Sequence, residues 1–225
     1  MGATKWLILF VKAPVPGHVK TRLRPLLSDE EACQLYRCLV LDTLEAVKPL
    51  RGVRVVVAYA ADPAFPDLTW LNHDGTMFLQ HGNTLGERLI HALECAFAHK
   101  ARAVVALGSD APDLSTQWVR RAFQHLSRSD VVVGPTEDGG YQLIGLAKPH
   151  PELFLDMPWS SSHLFKQTLD RIRHLRLSVH VLSPVTDLDT PEDLWRYVAQ
   201  RGFRRRHTHT ARFLREALQI SRAVT

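Results

Sequence analysis

Cysteine is scarce in this sequence, and its spacing fits neither a metal site nor a disulfide framework. Cys33, Cys38 and Cys95 are the three cysteines among 225 residues, and no pair of them forms a C-x-x-C motif. An odd number at such spacings argues against structural zinc and against a disulfide-stapled secreted domain. We therefore expect reduced thiols and a reducing compartment, the cytoplasm.

Several common functional motifs are also missing. No apolar run approaches the length of a membrane span, and the charged Lys12 follows too soon for a secretory signal peptide, so we expect no membrane partner. The twelve histidines contain no H-E-x-x-H pair, which disfavours zinc hydrolysis. Neither the Walker A loop nor G-x-G-x-x-G occurs. Ser160 to His163 lack the G-x-S-x-G elbow, and we interpret them as a helix start rather than a nucleophile.

The positive charge is concentrated at the C-terminus. The formal net charge is +5, yet residues 201–225 contain seven arginines and one acid, so the rest of the chain is nearly neutral. We expect one domain over 1–200 and a basic helical extension over 201–225. A nucleic-acid-binding module acting through that extension is the least favoured hypothesis, because only Phe203 and Phe213 interleave with the arginines.

Strand-like and helix-like patterns alternate along the chain. Short apolar runs typical of buried strands alternate with segments of helical periodicity, some introduced by a capping residue such as Ser28 or Thr190. The pattern predicts an α/β domain with a mostly parallel sheet, which is mixed because of the chain reversal before residue 141. The predicted strands are 6–11, 53–58, 76–80, 103–107, 131–133, 141–146 and 179–182. The predicted helices are about 28–47, 85–100, 115–127, 160–175 and 190–200.

Three loops after predicted strands carry the candidate chemistry, since ligands bind beyond the carboxyl ends of such strands. The first is the basic loop, residues 12–23. Its prolines stiffen the path and its glycine permits close backbone approach, so it is suited to a di- or triphosphate, although a solvated basic turn is the alternative. The residues to which we assign this role are Lys12, Pro16, Gly17, Lys20, Thr21 and Arg22.

Acidic residues follow the later strands. Asp110 lies directly after a buried strand and is suited to holding a divalent cation, whereas Asp113 is better explained as an acid near a helix start. Asp138 precedes Gly139 and Gly140 in a turn that either contacts an acceptor or only reverses the chain. For Asp187 and Asp189, spacing alone does not separate a helix-terminal role from metal ligation.

Six motifs in order resemble a bacterial family of small nucleotide-diphospho-sugar transferases with the glycosyltransferase-A fold, over about residues 5–200. That fold has a mostly parallel mixed sheet with helices on both faces. The wider superfamily includes the 2-phospho-lactate guanylyltransferases and the molybdenum-cofactor guanylyltransferases. The motifs are Lys-x-Pro-x-Pro-Gly-x-Val-Lys-Thr-Arg-Leu-x-Pro (12–25), Leu-Gly-Glu-Arg (85–88), Gly-Ser-Asp-x-Pro-x-Leu (108–114), Gly-Pro-x-x-Asp-Gly-Gly-Tyr-x-Leu-Ile-Gly (134–145), Pro-Trp-Ser (158–160) and Asp-Leu-Asp-Thr-Pro-Glu-Asp-Leu (187–194).

The resemblance implies roles for individual residues. Lys20 and Arg22 are expected to bind nucleotide phosphates, with Arg88 among the phosphate-binding residues. Asp110 is expected to hold Mg²⁺ or Mn²⁺ with Asp189 as a second metal ligand. One departure is that Pro112 stands where the usual Asp-x-Asp motif has its second acid, which weakens the case for glycosyl transfer.

Two transferase reactions are open at this stage. The first is metal-dependent glycosyl transfer from a nucleotide-diphospho-sugar; the alternative is nucleotidyl transfer from a nucleoside triphosphate to a small phosphorylated acceptor, with release of pyrophosphate. In both, Asp110, Asp138 and Lys20 are the expected catalytic residues, with Asp138 a possible base and the segment Asp138, Gly139, Gly140 and Tyr141 the acceptor side. The sequence leaves the base, the sugar, the acceptor and the oligomeric state open.

Overall fold

A seven-stranded sheet covered by helices forms the protein. The computed structural model describes residues 5–71 and 73–220. The strands are β1 (Lys5–Lys12), β2 (Val53–Ala60), β3 (Thr76–Leu79), β4 (Ala103–Leu107), β5 (Val131–Pro135), β6 (Tyr141–Leu146) and β7 (Val179–Val181). The helices are α1 (Asp29–Val47), α2 (Leu85–Ala98), α3 (Thr116–His125), α4 (Leu164–His174), α5 (Pro191–Ala199) and α6 (His209–Ala217). Within these described ranges, no helix is both long enough and apolar enough to cross a bilayer.

The sheet is mixed, as the sequence predicts. Its strand order is β3-β2-β1-β4-β6-β5-β7. Neighbouring strands pair in parallel except for β6, which is antiparallel to both β4 and β5. After β1 the chain proceeds to β2 on one side and later returns to β4 on the other. The carboxyl ends of β1 and β4 therefore form a topological switch point, where open α/β sheets bind ligands.

Apolar side chains on the two faces of the sheet form two separate cores. Residues of α1 and α3, such as Tyr36 and Phe123, pack on one face, while residues of α2 and α4, such as Leu93 and Ile172, pack on the other. This two-sided burial explains why the central strands are continuous apolar runs rather than alternating ones. The predicted α/β class with helices on both faces is confirmed.

Capping residues set most of the helix starts. The capping box predicted at Ser28 is present: Ser28 Oγ accepts from Glu31 N, and the Glu31 carboxylate accepts from Ser28 N. Thr190 and Asp193 form a second capping box ahead of α5. The start of α4 differs from the prediction by a turn, because Ser160 adopts a left-handed conformation with φ 62° and residues 159–163 form turns and a bend instead.

The C-terminal segment packs onto the domain. Helix α6 lies against α1, and a short 3₁₀ turn at Phe203–Arg205 contacts α5 and α6; their apolar side chains form a third apolar cluster. Arg215 is buried and donates to the carbonyl oxygens of Phe203 and Arg206, and Arg206 pairs with Asp113. Two arginines of the extension thus have structural partners. The cluster consists of Leu23, Leu27, Ala32, Leu35, Leu39, Leu188, Leu194, Tyr197, Phe203, Ala211 and Leu214.

Asp42 ties α6 to α1. Its two carboxylate oxygens accept hydrogen bonds from His209 N at 2.7 Å and Thr210 N at 2.9 Å, the first N–H groups of α6.

We expect Asp42→Ala to lower the free energy of unfolding by about 1–3 kcal/mol, because these helix-terminal donors lose a charged acceptor. Urea denaturation measures the change. Asp170→Ala, which removes only an exposed ion pair with Arg173, is the control and should change stability by less than about 0.5 kcal/mol; equal losses in both variants would contradict the tether.

Candidate active site

An open cleft of about 540 Å³ lies at the switch point of the sheet. Its walls come from the loop after β1, the end of β4, the start of β6, the first turns of α2, the segment before α4 and the segment 187–189. Since β6 runs against its neighbours, its first residues reach the same edge as the last residues of β1 and β4. The cleft therefore unites segments from most of the chain.

Lys20 lies at the centre of the charged part of this cleft. Its Nζ is 2.5 Å from Asp110 Oδ1 and 3.0 Å from Asp189 Oδ1, and its side chain is only 2% exposed. Burial alone would lower the pKa of Lys20, but the two carboxylates outweigh this effect and raise it above the usual value. The ammonium group is therefore charged, and it joins two acids that are 79 residues apart in the sequence.

Asp189 is held both through its side chain, which lies among cations, and through its backbone N–H. Burial would raise its pKa, but the charges of Lys20, Arg22 and Lys12 outweigh burial and hold the pKa below the usual value. Arg22 Nη1 is 3.6 Å from Asp189 Oδ2. The backbone N–H of Asp189 donates to the Asp193 carboxylate of the α5 capping box. Asp189 is thus an ionised carboxylate on a rigid support.

Asp187 is a third acid in the cleft. Its Oδ1 accepts from Gln142 Nε2 at 2.8 Å. Burial first, and then the nearby charge of Asp110, raise the pKa of Asp187 to about 7, although Lys20 and Gln142 partly offset the rise. Side chains alternate along residues 187–189: Asp187 and Asp189 line the cleft, whereas the intervening Leu188 is fully buried.

Tyr36 and Lys12 form the other side of the charged region. Tyr36 is buried, and its hydroxyl oxygen accepts from Lys12 N at 2.7 Å. Burial and the charge of Asp110 raise the pKa of Tyr36, so its hydroxyl stays neutral. Helical periodicity accounts for Tyr36 on the apolar face of α1, but nothing in the local sequence indicates its contact with the basic loop.

The predicted phosphate-binding residues divide into two groups. Lys12, Lys20, Thr21, Arg22 and Arg88 all line the cleft. Pro16 and Gly17 do not. Gly17 has φ +80° and shapes the turn of the loop, and its carbonyl oxygen accepts from Arg24 Nη2 at 3.5 Å. Its glycine character is thus explained by backbone conformation.

The predicted acceptor segment is also divided, because Tyr141 lines the cleft and Asp138, Gly139 and Gly140 do not. Asp138 Oδ1 accepts from Gly140 N at 3.1 Å and from the Thr136 hydroxyl. Gly139 has φ +90°, and a Cβ atom there would overlap the Ser162 carbonyl oxygen. These contacts favour the chain-reversal interpretation of the turn.

Two acidic groups outside the cleft have structural partners. Asp113 accepts from Gln200 Nε2 at 2.8 Å and pairs with Arg206, which agrees with its interpretation as a structural acid. Asp42, Glu45 and His209 bring potential metal ligands together, but both Asp42 oxygens already accept backbone N–H groups of α6.

The donor set of the cleft fits a hard divalent cation. Asp110 and Asp189 contact the ammonium group of Lys20, and Asp187 lines the same cleft. The side chains of Asp110 and Asp189 remain 42% and 44% exposed, so carboxylate oxygen remains accessible from the cleft. Oxygen donors of this kind suit Mg²⁺ or Mn²⁺.

The pKa of Asp187 predicts a pH-dependent stability. Because the folded pKa lies well above the unfolded value of about 3.9, the folded state binds the additional proton between pH 4 and 7, and stability falls as the pH rises through this window. Without divalent metal, we expect Asp187→Asn to stabilise the protein at pH 8 by about 2 kcal/mol after allowance for screening, and hardly at pH 4. Chemical denaturation in EDTA at both pH values measures this. An equal effect at the two values would contradict the assignment.

Comparison with known proteins places this cleft in a family context. A crystal structure from Desulfovibrio desulfuricans G20, provisionally called a nucleotide-diphospho-sugar transferase, is 34% identical and superimposes with a TM-score of 0.87, covering 97% of this chain and 96% of that one. This similarity confirms the nucleotide-diphospho-sugar transferase fold expected from the sequence.

Curated relatives are more distant. The 2-phospho-L-lactate guanylyltransferase of Methanothermobacter thermautotrophicus is 29% identical over 79% of this chain and 77% of its own length. The enzyme of the same name from Archaeoglobus fulgidus is 27% identical over 57% of this chain, and the match spans only 54% of that relative.

The family profile described as "Uncharacterized protein conserved in bacteria (DUF2064)" matches residues 43–161, more than half of the sequence. That segment contains β2 to β6, including Asp110 and the start of β6 that line the cleft. The chain belongs to the DUF2064 family of bacterial proteins.

Proposed function

We propose that this transferase moves a nucleotidyl group from a nucleoside triphosphate to a small phosphorylated acceptor and releases pyrophosphate. The observation that carries the proposal is the composition of the charged region of the cleft. Four cationic side chains line the same cleft as three carboxylates, at the switch point of the sheet. The cations are Lys12, Lys20, Arg22 and Arg88.

Charge favours nucleotidyl over glycosyl transfer. A triphosphate together with a phosphorylated acceptor carries more negative charge than a nucleotide-diphospho-sugar together with a neutral hydroxyl acceptor. Lys20 is already paired with Asp110 and Asp189, so Lys12, Arg22 and Arg88 together with a divalent metal would match the more anionic pair. Pro112, at the position of the second acid in the usual glycosyltransferase motif, also supports this choice. The curated guanylyltransferases point in the same direction.

Glycosyl transfer is the second candidate. It is supported by the provisional name of the Desulfovibrio relative, whose fold and length match this chain almost entirely. The two reactions differ in donor: one requires a nucleoside triphosphate and yields pyrophosphate, and the other requires a nucleotide-diphospho-sugar. A panel of both kinds of donor therefore separates them.

Different residues of the cleft have different roles in nucleotidyl transfer. Asp110 and Asp189, with Asp187 beside them, would hold the cation, which supplies Lewis-acid stabilisation of the phosphate oxygens when bound. Lys12, Arg22 and Arg88 bind and orient the triphosphate. Lys20 keeps the carboxylates in place and presents a positive charge where negative charge develops on the α-phosphate.

The reaction needs no general base. An oxygen of the acceptor phosphate, already ionised at neutral pH, forms the new bond to the α-phosphorus. The bond from the α-phosphorus to the bridging oxygen breaks, and its electron pair leaves with pyrophosphate, whose charge the cationic side chains stabilise. This chemistry is compatible with a turn at Asp138 that serves only to reverse the chain.

Removing Asp110 tests the metal requirement. We expect Asp110→Ala to weaken Mg²⁺-dependent nucleoside triphosphate binding at least about tenfold, because a main cation ligand is lost. Isothermal calorimetry with Mg²⁺ or Mn²⁺, over a panel of nucleoside triphosphates and nucleotide-diphospho-sugars, measures it. Asp113→Ala, an acid three residues away but outside the cleft, is the matched control. Unchanged metal-dependent binding in Asp110→Ala, or selective wild-type binding of a nucleotide-diphospho-sugar, would overturn the proposal.

Replacing Lys20 separates metal binding from turnover. In Lys20→Met, the acids lose their internal cation, so Mg²⁺ should raise the melting temperature more than in the wild type. The rate of pyrophosphate release from the triphosphate that binds best in the panel should fall about a hundredfold or more. The reason is that the variant lacks the positive charge that stabilises the reacting α-phosphate. Thermal melts and a pyrophosphate assay provide the two measurements. If Mg²⁺ no longer raises the melting temperature and activity is also lost, the variant has a misfolded loop. Full activity in Lys20→Met would contradict the role of Lys20 in turnover.

A further inference from the structure

A large part of the cleft wall is apolar, and the proposed phosphate chemistry makes no use of it. Residues from β1, α2, β4, β6 and the segment leading into α4 supply this surface. They are Phe10, Leu85, Leu89, Ala106, Tyr141, Ile144, Trp159 and Leu164. We call this set the apolar wall.

The apolar wall continues the core on the α2 and α4 face of the sheet. Ala106 and Ile144 are buried strand residues of that core, and Leu89 of α2 packs with them. Ala106 is small, which leaves room above the strands between the two helices. The cleft thus extends from the charged edge of the sheet over an apolar surface.

Trp159 is held firmly in this wall. Its ring meets Tyr141 edge-on, with centroids 6.4 Å apart and an interplanar angle of 74°. Gly86 allows α2 to approach, since a Cβ atom there would lie 3.0 Å from Trp159 Nε1. The next residue, Ser160, lines the cleft in a left-handed conformation that is unfavourable for a non-glycine residue. Such strain clusters at functional sites.

Leu85 places apolar surface beside a cation. It is 44% exposed at the first position of α2, and Arg88 and Leu89 follow at helical spacing on the same side of the cleft. A ligand at this point would meet a guanidinium group and a leucine side chain together. That combination suits a molecule with a phosphate at one end and an apolar body at the other.

Two amide side chains near the wall are already engaged. Gln142 Nε2 donates to Asp187, and Gln80 Nε2 donates to the carbonyl oxygens of Val11 and Ala58. Neither amide is thus free to bind the edge of a nucleobase, and the Tyr141 hydroxyl, which has no hydrogen-bond partner among the described residues, has its oxygen buried. An apolar or aromatic group would lose nothing by contacting this surface and would bury the exposed Leu85.

We infer that the acceptor is a phosphomonoester with an apolar or aromatic body, which lies against Trp159 and Leu85. This inference rests on the proposed function, because it assigns the phosphate of that acceptor to the cationic part of the cleft. It adds the chemical class of the acceptor, which the phosphate-binding residues alone do not define.

A graded series of phosphomonoesters tests the inference. Binding of methyl, propyl, butyl and phenyl phosphate is measured by calorimetry on the wild-type protein with Mg²⁺, with inorganic phosphate as the reference. Each buried methylene should strengthen binding up to about fourfold. Butyl phosphate, which has three more methylenes than methyl phosphate, should therefore bind more tightly than methyl phosphate by up to about 60-fold.

Two cleft variants and two matched controls show where the apolar body lies. Leu85→Ser and Trp159→Ala should reduce the gain in affinity from methyl to butyl and phenyl phosphate. Leu155→Ser and Trp195→Ala replace side chains that are each 50% exposed and outside the cleft, and they should leave the series unchanged. Leu85→Ser at an exposed helix start keeps the test decisive should Trp159→Ala fail to fold.

The outcomes separate this inference from the proposed function. A series that is flat in the wild type, or that is unaltered by Leu85→Ser, overturns the acceptor inference while metal-dependent triphosphate binding still supports nucleotidyl transfer. Weaker triphosphate binding in both cleft variants with an intact alkyl series would assign the apolar wall to the nucleobase and also overturn the inference. If the wild-type protein binds no nucleoside triphosphate, the proposed function is overturned.

Discussion

The buried ammonium group of Lys20 is the interaction on which the site depends. It compensates two carboxylates, Asp110 and Asp189, that would otherwise repel each other and Asp187 at the end of the sheet. Desolvating a lysine is costly unless paired charges accompany it. The pairing therefore fixes three distant segments in one arrangement. It also means that a cation entering the site must share these acids with a charge already present.

Support for that arrangement comes from behind the cleft. Leu23, close after Lys20 in the sequence, and Leu188, between the two acids of its segment, are both fully buried in the third apolar cluster. Phe203 and Leu214 complete the same cluster from the C-terminal segment. The basic loop and the acidic segment are thus anchored in one core, and the C-terminal segment helps to position the residues that meet the ligand.

Local patterns were sufficient for the elements and for part of the site. Continuous apolar runs and capping residues located the strands and helices, and strand order then placed Lys20 and Asp110 at one edge. The environment of Asp187 and the contact of Tyr36 with Lys12 depend on tertiary neighbours far away in sequence, which no local pattern encodes. The turn at Asp138 was ambiguous for another reason, since glycines serve chain reversal and ligand approach equally well.

The single antiparallel strand determines how rigid the cleft is. In an entirely parallel sheet, only loops supply the ligand-facing edge, and loops accept changes in length. Because β6 runs the other way, its first residues enter the cleft as part of the sheet: Tyr141 lies opposite Pro135 of β5, and the Gln142 carbonyl oxygen accepts from Gly108 N. Lengthening the turn that precedes them would leave the register of Leu143–Leu146 with β4 intact. This part of the cleft is consequently tied to the sheet itself, so that diversification of the family's substrates is expected in the flanking helices and loops.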